Sequence, residues 1–489
     1  MARTVHAARL ASLLGDFGRD PAYAGLADGV RALVDEGRVP TGTRLPSERD
    51  LVAALGVSRT TVARAYAALR DSGYLVSRQG SGSVAQLPPG RGHRGDHLLS
   101  PGVDPDGPEG TGTGDVVDLT CAAPAPPPEV HEAYRRGVEA LPAHLGGTGY
   151  YPSGMAVLRQ AVAEGYARRG LPTDPGQVVV VAGAQAGVAL TARSLLGPGD
   201  RVVVESPTYP NAIATLARAG GRVLGSDVLD DGSDTDGLAT TLRQVLPRVA
   251  YLIPDFHNPT GVLRDDAARE RVAATLRRTG TTAIVDESMV ALPLEGQAMP
   301  LPFAAHAPDT ISVGSISKPY WGGLRVGWLR LPESRLAGVL AERLALDLGA
   351  PVLEQLVSAD LLAAGDGLLG ARREGLRAAR DAALAAIATH LPDWTLTPPG
   401  GGLCLWCRLP APLSTALTVR AREHGVLLAP GPAFAPEGGL DRYVRLPFTQ
   451  TPAVMTDAVE RLATAWAETL ADPAPGAGVG RAPSPVLVA

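Results

Sequence analysis

Between Tyr23 and Val34 the apolar residues Leu26, Val30, Leu33 and Val34 fall at helical spacing, and Gly37 ends the run. The next stretch, LPSERDLVAALGVSRTTVARAYAALRDSGYLV, divides into two short helices. Ser47 is the N-cap of one that carries Leu51, Val52 and Leu55, Gly56 makes the turn, and Ser58 caps a second that carries Val62, Ala65, Tyr66 and Leu69. Two short helices about a glycine turn form a helix-turn-helix. The alternation from Tyr74 to Val84 around Gly80-Ser81-Gly82 predicts a two-stranded wing, closing a unit over 21–85. Residues 86–115, rich in Pro, Gly and Asp, predict a flexible linker; its GTGTG run has no strand before it and no helix after it, so it is not a dinucleotide fingerprint. From 116 to 471, β-branched runs alternate with helix-length segments, the clearest strands being Val178–Val181, Arg201–Val204, Tyr251–Ile253, Ala283–Val285 and Ile311–Val313. This alternation predicts an α/β domain with a mainly parallel sheet and, from about 350 to 471, a smaller α+β lobe. The Pro/Gly/Ala-rich residues 472–489 predict a disordered tail.

Composition narrows the class. Hydrophobic residues make up 45 % of the chain, charged residues 19 %, and the net charge is −5, which excludes a disordered chain or a polycation that coats nucleic acid; any DNA contact is local. Cys121, Cys404 and Cys407 are too few for an oxidised framework, and the start lacks a secretory pattern, so a cytoplasmic protein without membrane contact is expected. Cys404 and Cys407 share C-x-x-C spacing, but GGLCLWCRL reads as a buried strand with no second ligand pair, and no metal site is expected.

Of the 45 basic residues, 44 are arginine and one is lysine, Lys318. Arginine keeps its proton, whereas a desolvated lysine can lose one and condense with an aldehyde as a Schiff base. Chance accounts for a single surviving lysine equally well, so its neighbourhood, SVGSISKPYWGGLRVGW, decides. Pyridoxal phosphate requires such a lysine at a strand end, phosphate ligands close by, and an acid facing the pyridine nitrogen. Ser315 offers a hydroxyl and Arg325 a planar fork for the phosphate. The strand TAIVDE delivers Asp286 at its C-terminal edge. In VVVVAGAQAGVAL, the backbone N–H groups of Ala184 and Gln185 open a helix and can face an anion. ESPTYP places Tyr209 where its ring can stack on the pyridine, and PDFHNPTG places Asn258 where its amide can donate to the phenolic oxygen; His257 beside it is expected to pack or hydrogen-bond. Each residue alone has an ordinary reading as turn, core or surface. Together they all follow strands and fit one ligand.

Around the helix-turn-helix, Arg44, Arg49, Arg59, Arg64, Arg70 and Arg78 outnumber Glu48, Asp50 and Asp71. Arg59, Thr60 and Thr61 occupy the first turn of the second helix, the part that reads base edges; an arginine there can bridge guanine O6 and N7. A small helical module with a solvated basic face would look similar.

Residues 23–85 resemble the winged-helix domain of GntR-type bacterial regulators through LPSERDL, GVSRTTVARAY, LRDSGYL and RQGSGSV. The resemblance implies that Arg49, Arg59, Thr60, Thr61 and the wing at Gly80 touch DNA, with Arg64 beside them. Residues 116–471 resemble the fold-type I aminotransferases, with the GAQ turn, SPTYP, NPTG, D-x-S, SxxK and the arginine after it in that family's order. This implies that Arg445 in RYVRLPF pairs with a substrate α-carboxylate and that Tyr150 in GYYPSGMAVLR reaches the phosphate of a neighbouring subunit. Head, linker and body together resemble the MocR/GabR class of transcription regulators. The class implies a homodimer that binds pyridoxal phosphate and an operator in double-stranded DNA, and senses a small amino compound or the cofactor itself. An active aminotransferase with an attached DNA-binding module is the alternative. One position departs: the family often has tyrosine two residues after the aspartate, where this chain has Ser288. Asn258 is then expected to hold the phenolic oxygen alone, with little or no transaminase activity.

Overall fold

The computed structural model describes residues 4–15, 17, 21–35, 38–40, 42–78, 82–86, 88, 116–228 and 234–472; Gly80 and nearly all of the expected linker and tail lie outside them. The head contains helices α1 (Ala7–Leu14), α2 (Ala22–Asp35), α3 (Glu48–Leu55) and α4 (Arg59–Asp71), then strands β1 (Leu75–Arg78) and β2 (Gly82–Ala85), antiparallel with Leu75 opposite Ala85. Ser47 accepts from the Asp50 N–H, Ser58 accepts from the Thr61 N–H, and Gly56 takes φ 67°, so both caps and the turn fall on the residues the sequence marks. Helix α1 is an addition: it precedes the unit expected from residue 21 and places Leu10 in a core with Leu26, Val30, Leu51, Val62 and Leu69.

The body opens with a short strand, β3 (Val117–Asp118). Seven strands then build one sheet: β4 (Val178–Val181), β5 (Arg201–Ser206), β6 (Arg222–Asp227), β7 (Val249–Leu252), β8 (Thr282–Asp286), β9 (Ile311–Ser315) and β10 (Gly327–Arg330), in the order β4-β10-β9-β8-β7-β5-β6. Only β10 runs against its neighbours, opposite both β4 and β9. The polar strand β6 and the four-residue β10 lack a β-branched run, and the sequence pattern does not single them out. Buried valine and isoleucine on β4, β5, β8 and β9 fix the sheet between helical layers, with Val188, Leu190 and Leu216 from the helices packed against it.

The smaller lobe has β11 (Cys404–Arg408), β12 (Val426–Leu427), β13 (Ala429–Pro430) and β14 (Tyr443–Pro447), ordered β11-β14-β13, while β12 pairs in parallel with β3. Its core joins Leu119 and Ala122 to Leu405, Leu446, Val459 and Trp466. The helix Val352–Ala363 packs instead through Val357 and Leu361 with Val130, Leu158 and Val162, so this lobe begins nearer residue 370 than 350 and includes residues 117–122. Head and body meet where the Leu440 N–H donates to the Asp35 carbonyl at 2.5 Å and Arg9 lies 3.9 Å from Asp234.

Candidate cofactor site and DNA-facing helix

Strand direction assembles the site. Strands β4, β5, β7, β8 and β9 all point the same way, so Gly183, Tyr209, Asn258, Asp286 and Lys318 leave the sheet at one edge. Because β10 runs the other way, Arg325 just before it arrives at that same edge; Gly327 stands opposite both Val181 and Ser315. This is the carboxyl edge where ligands of open α/β sheets bind.

At one end of the candidate site, Gly183 caps the helix Ala184–Leu195 with φ 85° and ψ 163°, a conformation essentially reserved for glycine. A Cβ there would lie 2.9 Å from Arg325 Nη2. Arg325 is exposed, adopts φ 51° and donates to the Ala182 carbonyl at 3.2 Å, so its fork is held over the helix N-terminus. The Gln185 side chain turns away, donating to the Asn211 carbonyl and Thr215, which leaves its backbone N–H for an anion. Ser315 accepts from the Ser317 N–H at 3.1 Å and keeps its own hydroxyl hydrogen.

At the other end, Asp286 is buried. Its Oδ2 accepts from Tyr251 at 2.7 Å and its Oδ1 from the Ser288 N–H at 2.8 Å. Lys318 is half-buried and its Nζ donates to the Ala122 carbonyl at 3.1 Å. Burial pushes this amine below its ordinary value and Arg445 adds to the effect, against opposing influences from Cys121, Cys404 and Asp286. Arg445, in the middle of β14, is wholly buried. It donates to Asn258 Oδ1 at 3.3 Å and to the Thr120 carbonyl, lies 5.0 Å over the Phe434 ring, and among the described residues has no partner for Nε. With its Oδ1 engaged, Asn258 has its NH₂ left to donate. The Tyr209 hydroxyl accepts from Asn211 at 2.9 Å; burial raises its pKa, and Asp286 and Arg445 lie close enough to influence it.

Tyr150 is 66 % exposed, whereas Asn258, Asp286 and Ser315 are buried. His257 is buried, with Nε2 3.4 Å from Glu205 and Nδ1 2.9 Å from Thr260. Cys404 and Cys407 are both buried on β11, and their three-residue offset sends them to opposite faces of the sheet. Among the described residues no cluster of His, Cys, Asp or Glu could hold a metal ion.

Sequence reasoning missed Tyr251, the Thr120–Ala122 backbone and Phe434. A lone phenol in the otherwise aliphatic strand Val249–Leu252 was a usable signal for the first, since a buried tyrosine hydroxyl needs a partner. Carbonyl groups carry no such signal.

In the head, Arg49, Arg59, Thr60 and Arg64 are exposed. The Thr61 hydroxyl lies 2.8 Å from that of Ser58, within the cap, and the Arg64 guanidinium lies 3.9 Å over the Tyr23 ring. Arg59 and Thr60 are therefore the unencumbered pair on the first turn of α4.

Sheet order and the strand-end placement of the lysine define a fold-type I, pyridoxal-phosphate-dependent body joined to a winged-helix head. Residues 115–462 match the model for aminotransferase class I and II, and residues 22–84 the model for bacterial regulatory proteins of the gntR family; the chain belongs to the class I and II aminotransferase family and carries a gntR-family domain. It is 30 % identical over 471 residues to the HTH-type transcriptional regulator TauR of Rhodobacter capsulatus, covering 89 % of this chain and 95 % of that protein. With 2-aminoadipate transaminase of Thermus thermophilus it shares 32 % identity over 307 residues, 61 % of this chain and 76 % of the other. Among solved structures, α-aminoadipate aminotransferase from Thermus thermophilus, complexed with N-(5'-phosphopyridoxyl)-L-leucine, matches with a TM-score of 0.67 and 30 % identity, covering 73 % of this chain and 93 % of that one.

The residues present fit the cofactor. Gly183 leaves open a cradle that a Cβ would fill, and among the described residues the buried Arg445 Nε has no partner.

Proposed function

We propose that this chain is a pyridoxal-phosphate-dependent transcription regulator whose head binds an operator in double-stranded DNA and whose body senses a small amino compound or the cofactor itself. The observation that carries the reading is the union, in one polypeptide, of a capped recognition helix presenting Arg59 with a sheet edge that gathers Lys318, Asp286 and Arg445. Pyridoxal phosphate, when bound, supplies a carbonyl that exchanges one amine for another and a ring that accepts electrons. Lys318, Ser315, Arg325, the Ala184 and Gln185 N–H groups, Tyr209, Asn258 and Asp286 are the residues that would hold it.

The desolvated Lys318 amine is suited to join and leave that carbonyl, and Arg445 is suited to receive a carboxylate. Arg445 reaches residues from both lobes' segments, Asn258 and Thr120, so an anion bound to it bears on how the lobes sit. Arg49 positions the head on phosphates while Arg59 and Thr60 face bases. A homodimer is the proposed form: Leu145, Tyr150, Val157, Leu346 and Leu348 are exposed apolar or aromatic residues, and Gly349 abuts the Tyr151 backbone, which brings these segments together. Tyr150 would then face the partner's phosphate. No helix among the described residues is long and apolar enough to cross a membrane, and we place the protein in the cytoplasm.

The test is footprinting next to the chain's own gene, with and without pyridoxal phosphate and candidate amines. It is paired with borohydride reduction and mapping of the labelled peptide. Label on Lys318 together with amine-dependent protection is the expected result; protection that is identical in a Lys318→Ala protein refutes the sensing role. The Thermus transaminase similarity supports a second reading, an active aminotransferase with an attached head. Keto-acid product formed at an ordinary enzyme's rate would select it.

A further inference from the structure

We propose that Tyr251 is a positioning residue for the ring-nitrogen end of the cofactor, holding the Asp286 carboxylate that faces the pyridine nitrogen. The inference rests on the cofactor reading above and deepens it.

Tyr251 pairs with Ile284 across β7 and β8, and Asp286 stands two residues beyond Ile284, so the phenol and the carboxylate rise from the same face of the sheet. Their contact is short, 2.7 Å from Oη to Oδ2, and the Ser288 N–H takes Oδ1 at 2.8 Å. Both carboxylate oxygens are thus fixed from the protein side before any ligand arrives. Tyr251 is 0 % exposed and Asp286 6 %, so neither group can exchange its partner for water. Burial and the adjoining carboxylate drive the phenol's pKa well above its ordinary value, which keeps the hydroxyl a donor.

A neutral donor acts differently from a cation here. It fixes the orientation of the Asp286 carboxylate, yet leaves the full negative charge in place to hold a protonated ring nitrogen. The chain thus brings a phenol to the acid at one end of the site, while Asn258, its Oδ1 engaged by Arg445, keeps an NH₂ group at the other.

The experiment uses the full chain, stripped of cofactor and reconstituted with pyridoxal phosphate or with its analogue in which the ring nitrogen is replaced by C–H. Tyr251→Phe is expected to weaken pyridoxal phosphate binding about tenfold, the order for one lost hydrogen bond to a charged group, and to shift the visible absorption band. The analogue, which has nothing for Asp286 to hold, should bind wild type and variant alike. Equal weakening of both ligands, or of neither, overturns the proposal. Asp286→Asn measured in parallel separates the two levels. If it fails to discriminate the ligands, the assignment of Asp286 falls; if it discriminates while Tyr251→Phe does not, only the role of Tyr251 falls. Should the phenylalanine variant misfold, site-specific 3-fluorotyrosine at 251 keeps the shape and strengthens the donor. It should move the band in the opposite direction, and an unmoved band overturns the proposal.

Discussion

Replacing Glu205 with glutamine removes one charge from the interior beneath the Asn258 loop. The Glu205 carboxylate is 1 % exposed, accepts from the Ile253 N–H at 2.7 Å, and lies 2.5 Å from Arg264 Nη1 and 3.4 Å from His257 Nε2. Burial alone would raise its pKa, but Arg264, then His257, then the Ile253 N–H hold it at about 2 against an ordinary 4.5. Glutamine can still accept from Ile253, yet it leaves the Arg264 guanidinium, 6 % exposed, without its counter-charge. Breaking a buried pair from one side costs about 3–5 kcal/mol. For a body of roughly 350 residues the unfolding entropy is about 0.7 kcal/mol per degree, so the midpoint should fall by about 4–7 °C.

Since the folded pKa lies below the unfolded one, the carboxylate's contribution is complete above pH 4.5 and is lost as pH falls toward 2. Thermal unfolding followed by circular dichroism should show the full deficit at pH 7 and a narrowing gap between variant and wild type within that acidic window. A midpoint unchanged to within about 1 °C at pH 7, or a gap that stays constant as pH drops, refutes the reasoning.

Gly183→Ala places a Cβ 2.9 Å from Arg325 Nη2 at a backbone conformation alanine resists, and should lower pyridoxal phosphate affinity about tenfold or more by fluorescence titration; a change under about twofold contradicts the cradle. Arg445→Ala should abolish the preference for an amino acid over its decarboxylated amine in a spectral titration, and a retained preference removes Arg445 from carboxylate recognition. Once an operator is defined, Arg59→Ala should cost about 1–3 kcal/mol and relax specificity at one base pair, whereas Arg49→Ala should weaken all sequences alike and lower the salt slope by about one; equal behaviour of the two would argue against their separate roles.

Fold class was legible because it rests on local rules, and the same rules place the candidate site residues at strand ends. Ser47, Gly56 and Ser58 sit where capping and turn chemistry require, and β-branched runs mark five of the seven sheet strands. The uniqueness of Lys318 and the strand-end positions of Asp286 and Asn258 pointed to one ligand before any contact was known. The boundary of the smaller lobe was not legible. Val352–Ala363 is helical like the segments after it, and only packing against Val130 and Val162 assigns it to the larger lobe. Cys404 and Cys407 were by contrast legible as members of a buried strand, which is what β11 is.

The sequence by itself determined the helix caps, most of the strands and which side chains are candidates for chemistry, since residue type, caps and strand periodicity depend on neighbours a few positions away. Tertiary structure decided what each touches. Tyr251 meets Asp286 across adjacent strands, Arg445 meets Asn258 and the Thr120 carbonyl from the far end of the chain, and Lys318 meets the Ala122 carbonyl. Such contacts depend on strand order and direction, which emerge only when the whole apolar surface is buried at once.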